Sequence, residues 1–401
     1  MTNSVHFSKK YYLFLIIFLG MLSAFGPFVT DMYLPTLPSM TEVFATTPSL
    51  VQMGLATSMI GLAVGQVFFG PLSDKYGRRN ILMAAMILFA ISTLASIYSP
   101  TIEFFNACRF VQGLGGAGGI VLSRSISTDC YSGRELAKTL AIIGAVNGIA
   151  PVTAPVIGGM VANSVGWQGI FWILFGIGAV LLLMCLIFKE SLPVTQRHTG
   201  SVLSLMSAFP KLLHLSYFRI YVALYAFANG VLFAYISSAS FIIQNYYGFS
   251  EMTFAVIFGI NAVGIGIGAA MALKFKRLPN AALCGAAGIT AVSLAQLACY
   301  KAFDMFAAFE GLTFVMLVFL GLIFTSSTTM AMDEGREYVG AASAMFGAAG
   351  FMFGGIVSPL VGIGNIMSTT LVIIAVCSLF ALLFAATARR RKEPSTPLNY
   401  F

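Results

Sequence analysis

Apolar residues fall in long runs along this chain, and short polar segments separate the runs. Many runs reach the length of about 18 residues at which an apolar helix crosses the hydrocarbon core of a bilayer. The pattern predicts an all-α membrane protein with twelve transmembrane helices, numbered α1 to α12. The predicted spans are residues 11–36, 49–69, 80–99, 102–123, 139–162, 167–188, 219–244, 252–273, 280–300, 305–330, 340–362 and 367–388.

The composition agrees with a chain that lies mostly in a membrane. Of its 401 residues, 58% are hydrophobic and only 9% are charged, whereas about a quarter of the residues of a soluble domain are charged. The net charge of +8 arises in the short segments between apolar runs, which indicates membrane topology rather than nucleic acid as a partner. The six cysteines show no metal-ligand spacing, so we expect no metal site.

The positions of the cations predict how the chain is oriented. Cytoplasmic loops of membrane proteins carry an excess of Lys and Arg. With a cytoplasmic N-terminus, only Lys301 faces outward, and Arg109 lies within a helix. The other 20 of the 22 Lys and Arg residues then lie on the cytoplasmic side: Lys9, Lys10, Lys75, Arg78, Arg79, Arg124, Arg134, Lys138, Lys189, Arg197, Lys211, Arg219, Lys274, Lys276, Arg277, Arg336, Arg389, Arg390, Arg391 and Lys392. We therefore expect both termini in the cytoplasm.

The longest polar connection divides the chain into two halves of six helices each. We expect an N-terminal six-helix bundle at 1–188, a cytoplasmic central loop at 189–218, and a C-terminal six-helix bundle with a short basic tail at 219–401. A weak repeat supports duplication, because APVIG at 154–158 in α5 is similar to SPLVG at 358–362 in α11. Transporters built from two such halves bind their substrate between them.

Asp31 lies inside the first apolar run and is the leading candidate for chemistry. An ionised carboxylate there costs several kcal/mol, so such residues usually face a cavity and have a function. A proton-coupled carrier needs a carboxyl group of this kind. The alternative is that Asp31 lies near the outer end of α1, in contact with water, and has only a structural role.

Two further ionisable residues lie within predicted spans. Arg109 in α4 shares one polar helix face with Gln112, three residues on. A buried arginine must be paired, and we expect Asp31 as its partner; the alternative is an arginine that binds backbone carbonyls or another acid. Glu310 in α10 is a second intramembrane acid, which faces the cavity or extends to the outer interface.

Two Gly-containing segments have both a functional and a plain reading. In the loop 70–79, Asp74 lies between Gly70 and Gly77 and near three cations, and the loop is either a functional motif or an ordinary basic connector. In α5, two prolines four residues apart bend the helix, and the glycines allow close packing on a neighbour. This helix is either a functional element or simply a kinked packing helix.

The segment 113–118 satisfies the pattern G-x-G-x-x-G of dinucleotide-binding proteins. It does not follow a strand and does not open a helix in a soluble βαβ unit, which that function requires. We therefore expect its glycines to form a helix-packing surface in α4. The chain also has no G-x-x-x-x-G-K-[ST], so it does not bind ATP through a P-loop.

Several short motifs, taken together, resemble one known family. They are residues 31–35 with Pro38, the loop 70–79, residues 109–113, the Pro151/Pro155 helix and residues 166–172. The loop resembles the one between helices 2 and 3 of the major facilitator superfamily. The whole set resembles the Bcr/CflA drug-resistance family, which comprises bacterial proton-coupled exporters of bicyclomycin, chloramphenicol and related compounds. The resemblance implies a monomeric drug:proton antiporter in the bacterial inner membrane.

The resemblance also implies roles for particular residues. Asp31 is the coupling carboxylate, and Arg109 is the arginine of helix 4. The cytoplasmic gate comprises Gly70, Asp74, Gly77, Arg78 and Asp129; we expect Asp74 to cap a helix N-terminus and Arg78 to reach Asp129. The antiporter motif of α5 comprises Gly148, Pro151, Pro155, Gly158 and Gly159, with Ala154-Pro155 where the family usually has Gly-Pro.

The chain departs from the family pattern at two positions. Some multidrug relatives carry a second acid eight residues before the coupling aspartate, where this chain has Ser23. Many members read R-x-x-x-R-D at the end of helix 4, and here Thr128 replaces the second arginine. The first departure argues against export of cationic drugs, and the second leaves the gate with one cation fewer.

These observations predict a carrier that exchanges inward-moving protons for outward-moving amphipathic drug-like molecules. It needs no cofactor other than the proton as coupling ion. We expect aromatic and polar side chains to wall the central cavity, namely Phe28, Tyr33, Gln112, Asn147, Tyr225, Asn229 and Glu310. A paired Asp31 and Arg109 would make the site nearly neutral, which favours neutral or zwitterionic substrates.

Three other functions remain open at this stage. The nearest alternative is a proton-coupled exporter of a single metabolite, such as an amino acid or a sugar, with the same fold. A polytopic membrane enzyme would need clustered catalytic carboxylates or histidines at an interface, and the sequence shows none. A channel is less compatible with duplicated halves and paired Gly/Pro helices, which favour rocking over a fixed pore.

Overall fold

The structure is a computed structural model that describes residues 9–201 and 206–390. Within these ranges the chain forms twelve long helical segments, so the predicted twelve-helix, all-α fold is confirmed. The helices are α1 Lys9–Asp31, α2 Pro48–Tyr76, α3 Arg78–Ile97, α4 Ile102–Cys130, α5 and α6 together Gly133–Ile187, α7 Ser216–Ser240, α8 Glu251–Ala272, α9 Leu278–Ala302, α10 Phe306–Glu334, α11 Val339–Leu360 and α12 Ile366–Arg389. A short helix, Ala208–His214, lies in the central connection.

Two helix boundaries are irregular, one between α5 and α6 and one at the end of α1. α5 and α6 run together and are separated at Gly166, whose φ of 66° breaks the helical geometry. α1 ends at Asp31 rather than at residue 36, and the chain continues through a 3-10 turn, Leu34–Thr36, into a short helix, Leu37–Val43. Each of these short elements has a proline as its second residue, because proline fits the first turn of a helix but not its interior.

In the part of the chain that the structure describes, ten helices are long and apolar enough to cross a membrane by themselves, as expected of a multi-pass membrane protein. α4 is not among these ten, although its 29 residues equal the length of α2. It buries Asn106, Arg109 and Gln112 together with many glycines inside the bundle, so its composition is less apolar. A helix with little lipid-facing surface does not need an apolar exterior.

Helix packing repeats between the two halves with an offset of six helices. α2 packs against α4 as α8 packs against α10, and the pairs α3–α4 and α1–α5 recur as α9–α10 and α7–α11. The halves meet along two seams, where α2 lies against α11 and α5 lies against α8. The same offset relates the two seams to each other, which is the symmetry that a duplicated transporter shows.

Glycines allow the closest helix contacts at equivalent places in both halves. A Cβ atom at Gly113 in α4 would lie 2.0 Å from the carbonyl oxygen of Ser58 in α2. A Cβ atom at Gly268 in α8 would lie 1.8 Å from the carbonyl oxygen of Val318 in α10. The G-x-G-x-x-G segment therefore forms a helix-packing surface, as the sequence predicted.

The two ends of the bundle differ in charge and in how their helices begin. Because consecutive helices alternate in direction, the described segments rich in Lys and Arg come to one end, which we call the basic face: 75–79, 124–138, 189–201, 206–219 and 274–277. At the other end, the opposite face, four helix N-termini are capped by side chains that accept a backbone N–H hydrogen bond: Thr47, Thr101, Ser250 and Asn365.

Candidate functional site

A cavity of about 200 Å³ lies between the two halves. Both halves contribute to its walls, through helices α1, α5, α7, α8, α10 and α11. Its lining is mostly apolar and comprises Gly26, Pro27, Thr30, Asp31, Pro151, Leu232, Phe233, Tyr235, Ile236, Phe258, Asn261, Ala262, Ile265, Leu317 and Phe351. Asp31 is the one carboxylic acid in that lining.

Asp31 is the last residue of α1 and is only 6% exposed, so it is not a water-exposed structural residue. The C-terminal end of a helix carries a partial negative charge, which does not stabilise a carboxylate. None of the four ion pairs among the described residues involves Asp31. Asp31 is therefore a buried carboxyl group that faces a cavity and has no cationic partner, and a bound proton removes the cost of its charge.

Arg109 does not pair with Asp31, so that prediction was wrong. The guanidinium group is fully buried and donates hydrogen bonds to the carbonyl oxygens of Val29, at 2.8 Å, and Gly54, at 3.3 Å. It also donates to the side-chain oxygen of Gln112. The arginine is satisfied by backbone carbonyls, which was the alternative reading, because α1 and α2 both approach α4 closely at this level.

Tyr33 and Gln112 complete the surroundings of Arg109 and do not line the cavity. The guanidinium carbon of Arg109 lies 4.4 Å from the centre of the Tyr33 ring and 5.5 Å from that of Phe171, within the range of cation–π attraction. The Gln112 amide donates to the Thr93 hydroxyl at 2.7 Å. These residues hold the N-terminal half together.

The other predicted cavity residues also lie outside the described lining. Phe28 packs against the hydrophobic core. Tyr225 stacks on Phe346 with ring centres 3.9 Å apart, and the Asn229 amide donates to the Tyr225 carbonyl oxygen at 2.8 Å. On α7 the lining lies at residues 232–236, one or two helical turns nearer the opposite face than Tyr225 and Asn229. The side chain of Asn147 lies outside the described part of the chain.

Glu310 reaches the cavity through a hydrogen-bonded neighbour. Its Oε1 atom accepts a hydrogen bond from the Nδ2 atom of Asn261 in α8. The same Nδ2 atom donates to the hydroxyl oxygen of Tyr235 in α7 at 2.6 Å. Asn261 and Tyr235 both line the cavity, so the acid lies behind the cavity wall and not at the outer interface.

The predicted gate residues come together at the basic face. The Arg78 Nε atom lies 2.9 Å from an oxygen of Asp129 at the end of α4, and Arg78 also bonds to Asp74 at the end of α2. Gly77 has a φ of 95°, which allows the chain to reverse between α2 and α3. Gly70 lies on α2 near Val121 of α4, where a Cβ atom would meet it at 3.8 Å.

The carboxylate that caps a helix N-terminus at this cluster is Glu190, not Asp74. The Glu190 side chain accepts hydrogen bonds from the backbone N–H groups of Arg78, at 2.9 Å, and Arg79, at 3.2 Å. Asp74 lies on the last turn of α2, where its carboxylate binds the Arg78 side chain instead. The predicted capping role of Asp74 was therefore wrong, because Glu190, a loop residue distant in sequence, occupies the capping position at the start of α3.

The sequence profile of the Major Facilitator Superfamily matches residues 13–359. The chain belongs to this superfamily.

Relatives and solved structures agree with this assignment. The MFS-type transporter YdgK of Bacillus subtilis (strain 168) is 36% identical over 356 residues, which cover 86% of this chain and 88% of that protein. A bicyclomycin resistance protein homolog of Haemophilus influenzae is 29% identical over 355 residues, with the same coverage of 86% and 88%. The xylose transporter XylE from E. coli, solved partially occluded and inward open, shares the fold with a TM-score of 0.74 and 15% identity, covering 94% of this chain and 98% of XylE.

Within this superfamily fold, α5 lies between α1 and α8 and forms part of the cavity wall. Pro151 lines the cavity. A Cβ atom at Gly158 would lie 1.8 Å from the carbonyl oxygen of Met32, and one at Gly159 would lie 3.0 Å from the Cβ atom of Ala255 in α8. Pro155 lies inside the helix. The surroundings of Gly148 lie outside the described part of the chain. The α5 motif thus contacts the segment that follows Asp31.

Three residues that belong to the cavity or to the cluster around Arg78 were not predicted from the sequence. Asn261 and Tyr235 are uncharged polar residues within apolar runs, which carry no signal comparable to that of an intramembrane charge. Glu190 comes just after the apolar run of α6 and next to Lys189, so in the sequence it looks like an ordinary acidic residue of a loop. An isolated acid just beyond an apolar span, opposite a basic loop, was the available signal for it.

Proposed function

We propose that this chain is a proton-driven antiporter that exports amphipathic drug-like molecules by alternating access. The observation that carries the proposal is Asp31, a buried carboxyl group with no cationic partner in the cavity between the two halves. An ionised carboxylate at such a depth costs several kcal/mol. A bound proton neutralises it in one direction of transport, and substrate occupies the same cavity in the other.

The remaining cavity wall supports an amphipathic substrate. Phe233, Phe258 and Phe351 contribute aromatic surface, and the polar groups are few: Thr30, Asp31, Tyr235 and Asn261. Burial of apolar substrate surface contributes about 25 cal/mol per Å². A mostly apolar cavity with a small number of polar groups favours molecules defined by shape and apolar area over a strongly hydrated metabolite.

Hydrogen bonds between the halves support alternating access. Among the described residues, three that end on backbone carbonyls join the halves toward the opposite face: Ser49 to the Pro359 carbonyl at 3.0 Å, Gln52 to the Ser237 carbonyl at 3.0 Å, and Gln244 to the Pro35 carbonyl at 2.8 Å. Toward the basic face, the described residues show one between side chains, from Arg124 to Ser343 at 3.3 Å. This arrangement fits a carrier closed at the opposite face, whose halves rock about the α2–α11 and α5–α8 seams.

Orientation and assembly follow from the same features. The basic face is cytoplasmic by the positive-inside rule, which places the opposite face outside and both termini inside. The helices of a single chain wall the cavity, which supports a monomer as the functional unit. The Haemophilus influenzae relative, named for bicyclomycin resistance, supports a drug-like substrate.

Drug resistance of intact cells tests this function. Cells that lack their own drug pumps should gain resistance to bicyclomycin or chloramphenicol when they express this chain, and a protonophore should abolish efflux of the drug. Asp31→Asn should remove the resistance. Glu103→Gln is the control, because Glu103 is exposed at the start of α4, at the opposite face. Equal resistance in cells with the Asp31→Asn and the unchanged protein would overturn the proposal.

A further inference from the structure

Glu310 is a second acid at the cavity that the proton-coupling scheme has not used. One carboxylate oxygen accepts the hydrogen bond from Asn261, and the other, Oε2, is buried without a hydrogen-bond partner. Among the described residues, no Lys, Arg or His forms an ion pair with it. A buried charge with an unpartnered oxygen is costly. A proton on Oε2 removes the charge, which is the larger part of this cost.

The ionisable groups on the helices packed around α10 are few. Tyr235 on α7 is joined to Glu310 through Asn261, and Asp31 on α1 lies across the cavity. Toward the opposite face, the loop before α8, α8 itself, α9 and the loop before α10 carry further ionisable groups: Tyr247, Glu251, Cys299, Tyr300, Lys301 and Asp304. The Asp304 carboxylate accepts hydrogen bonds from the hydroxyl groups of Tyr246 and Tyr247. The cavity therefore has two acids near it, Asp31 and Glu310, and no basic residue in its described lining.

The surroundings of Asn261 also suit a positively charged ligand. The rings of Tyr235 and Phe258 stack with centres 5.9 Å apart beside Asn261, and Phe233 lies on the same wall. Aromatic faces attract cations, most strongly where water is excluded. Only one amide side chain separates the Glu310 carboxylate from the cavity, and in surroundings of low dielectric its charge acts strongly over that distance.

We propose that Glu310, with Asn261 and Tyr235, is a second proton-binding site of the cavity, from which an amphipathic cation displaces the proton. The proton leaves the Glu310 carboxyl group for solvent as the cation enters, so one positive charge replaces another and no bond other than O–H breaks. This inference rests on the proposed transport function. It replaces the expected preference for neutral substrates, whose basis was the Asp31–Arg109 pair that the structure does not contain.

Proton release on ligand binding tests the second site. The full chain, purified in detergent and weakly buffered, is titrated with tetraphenylphosphonium as the cation and chloramphenicol as the neutral probe. Tetraphenylphosphonium should release a proton from Asp31→Asn, and none from Asp31→Asn/Glu310→Gln. Glu310→Gln alone should lower affinity for the cation about tenfold, with affinity for chloramphenicol unchanged. Glu103→Gln, an exposed acid at the start of α4, should behave like the unchanged protein.

A measurement on the unchanged protein covers the case in which the variants do not fold. A hydrophobic carbodiimide reacts with protonated carboxyl groups in apolar surroundings, and mass spectrometry of the digested protein locates the product. Glu310 should be modified, and tetraphenylphosphonium should protect it while chloramphenicol should not. Protection of Asp31 alone, or equal protection by both probes, would overturn the inference.

The outcomes separate this inference from the proposed function. If tetraphenylphosphonium does not bind, or releases equal protons from both Asp31 variants, the second site is refuted while proton-driven chloramphenicol export still stands. If the unchanged protein transports neither probe against a proton gradient, the proposed function fails as well.

Discussion

The Arg109 guanidinium donates a hydrogen bond to the carbonyl oxygen of Val29 at 2.8 Å, two residues before Asp31, and it forms no ion pair with the Asp31 carboxylate. Arg109 therefore fixes the end of α1, and Asp31 is left to face the cavity without a counter-ion. The absence of a pair between Arg109 and Asp31 matters because a carboxylate paired to an arginine would hold its charge and could not easily exchange a proton.

The main effect of Arg109→Ala should be a lower stability of the folded protein, with a smaller effect on the cavity. The substitution removes the donor to the Gln112 side-chain oxygen and one donor each to the carbonyls of Val29 and Gly54, and a buried group left unpaired costs about 1–3 kcal/mol. Arg109→Lys should recover only part of the loss, because an ammonium group cannot reach both carbonyls and Gln112 with the geometry of a guanidinium group. Thermal unfolding in detergent measures the effect; unfolding temperatures equal to that of the unchanged protein would contradict it.

Arg78→Ala should loosen the basic-face end of the N-terminal half. Asp74 and Asp129 then lose their shared cation, and two like charges remain close together. We expect slower transport and faster reaction of Cys130, which lies beside Asp129 and is partly buried, with a membrane-impermeant maleimide from the basic side. Lys75→Ala is the control, since Lys75 is in the same loop but in none of the ion pairs. Unchanged labelling of Cys130 would show that the cluster is only a topological anchor.

Gly158→Ala should disturb the segment that follows Asp31. The new Cβ atom would lie 1.8 Å from the Met32 carbonyl oxygen, so α1 or α5 must shift. We expect lower transport and a loss of stability of about 1–3 kcal/mol, as for overpacking of a tight interface. Gly176→Ala is the matched control, because no atom lies within 4 Å of a Cβ atom at that position. If both variants transport alike, the α1–α5 contact is not required.

Gln52→Leu with Gln244→Leu should shift the carrier toward a form open at the opposite face. Both amides donate to carbonyls of the other half, and each hydrogen bond contributes about 1 kcal/mol. Spin labels at Glu42 and Asn245, both exposed near this face, report the separation of the halves in a background without the six cysteines. We expect a second, longer distance in the double variant. A distribution identical to that of the unchanged background would refute closure by these contacts.

Particular residues show what the sequence could and could not predict. The apolar runs predicted all twelve helices, and Asp31 was recognisable because a charge inside such a run is rare. The depth of the cavity was not predictable: Tyr225 and Asn229 are polar and on α7, but the cavity lies at residues 232–236 instead. Hydrophobic periodicity contains no information about the level at which the two halves leave a space between them, or about the loop that brings Glu190 to the start of α3.

The same limit explains the error over Arg109. An intramembrane arginine signals a need for acceptors but does not say whether they are carboxylates or backbone carbonyls. Here glycines let α2 approach α4 closely, and Gly54 itself is an acceptor for Arg109. Such close approach depends on the three-dimensional packing of the helices, which sequence alone shows only as a high content of small residues.

The central claim, that Asp31 exchanges its proton for substrate, is tested most directly by drug-driven proton movement in proteoliposomes. The purified chain is reconstituted with a pH-sensitive dye inside, and an outward or inward gradient of bicyclomycin or chloramphenicol is imposed without a pH gradient. The unchanged protein should move protons in the direction opposite to the drug. Asp31→Asn should move none while still exchanging labelled for unlabelled drug. Proton movement at the unchanged rate in Asp31→Asn would contradict the account.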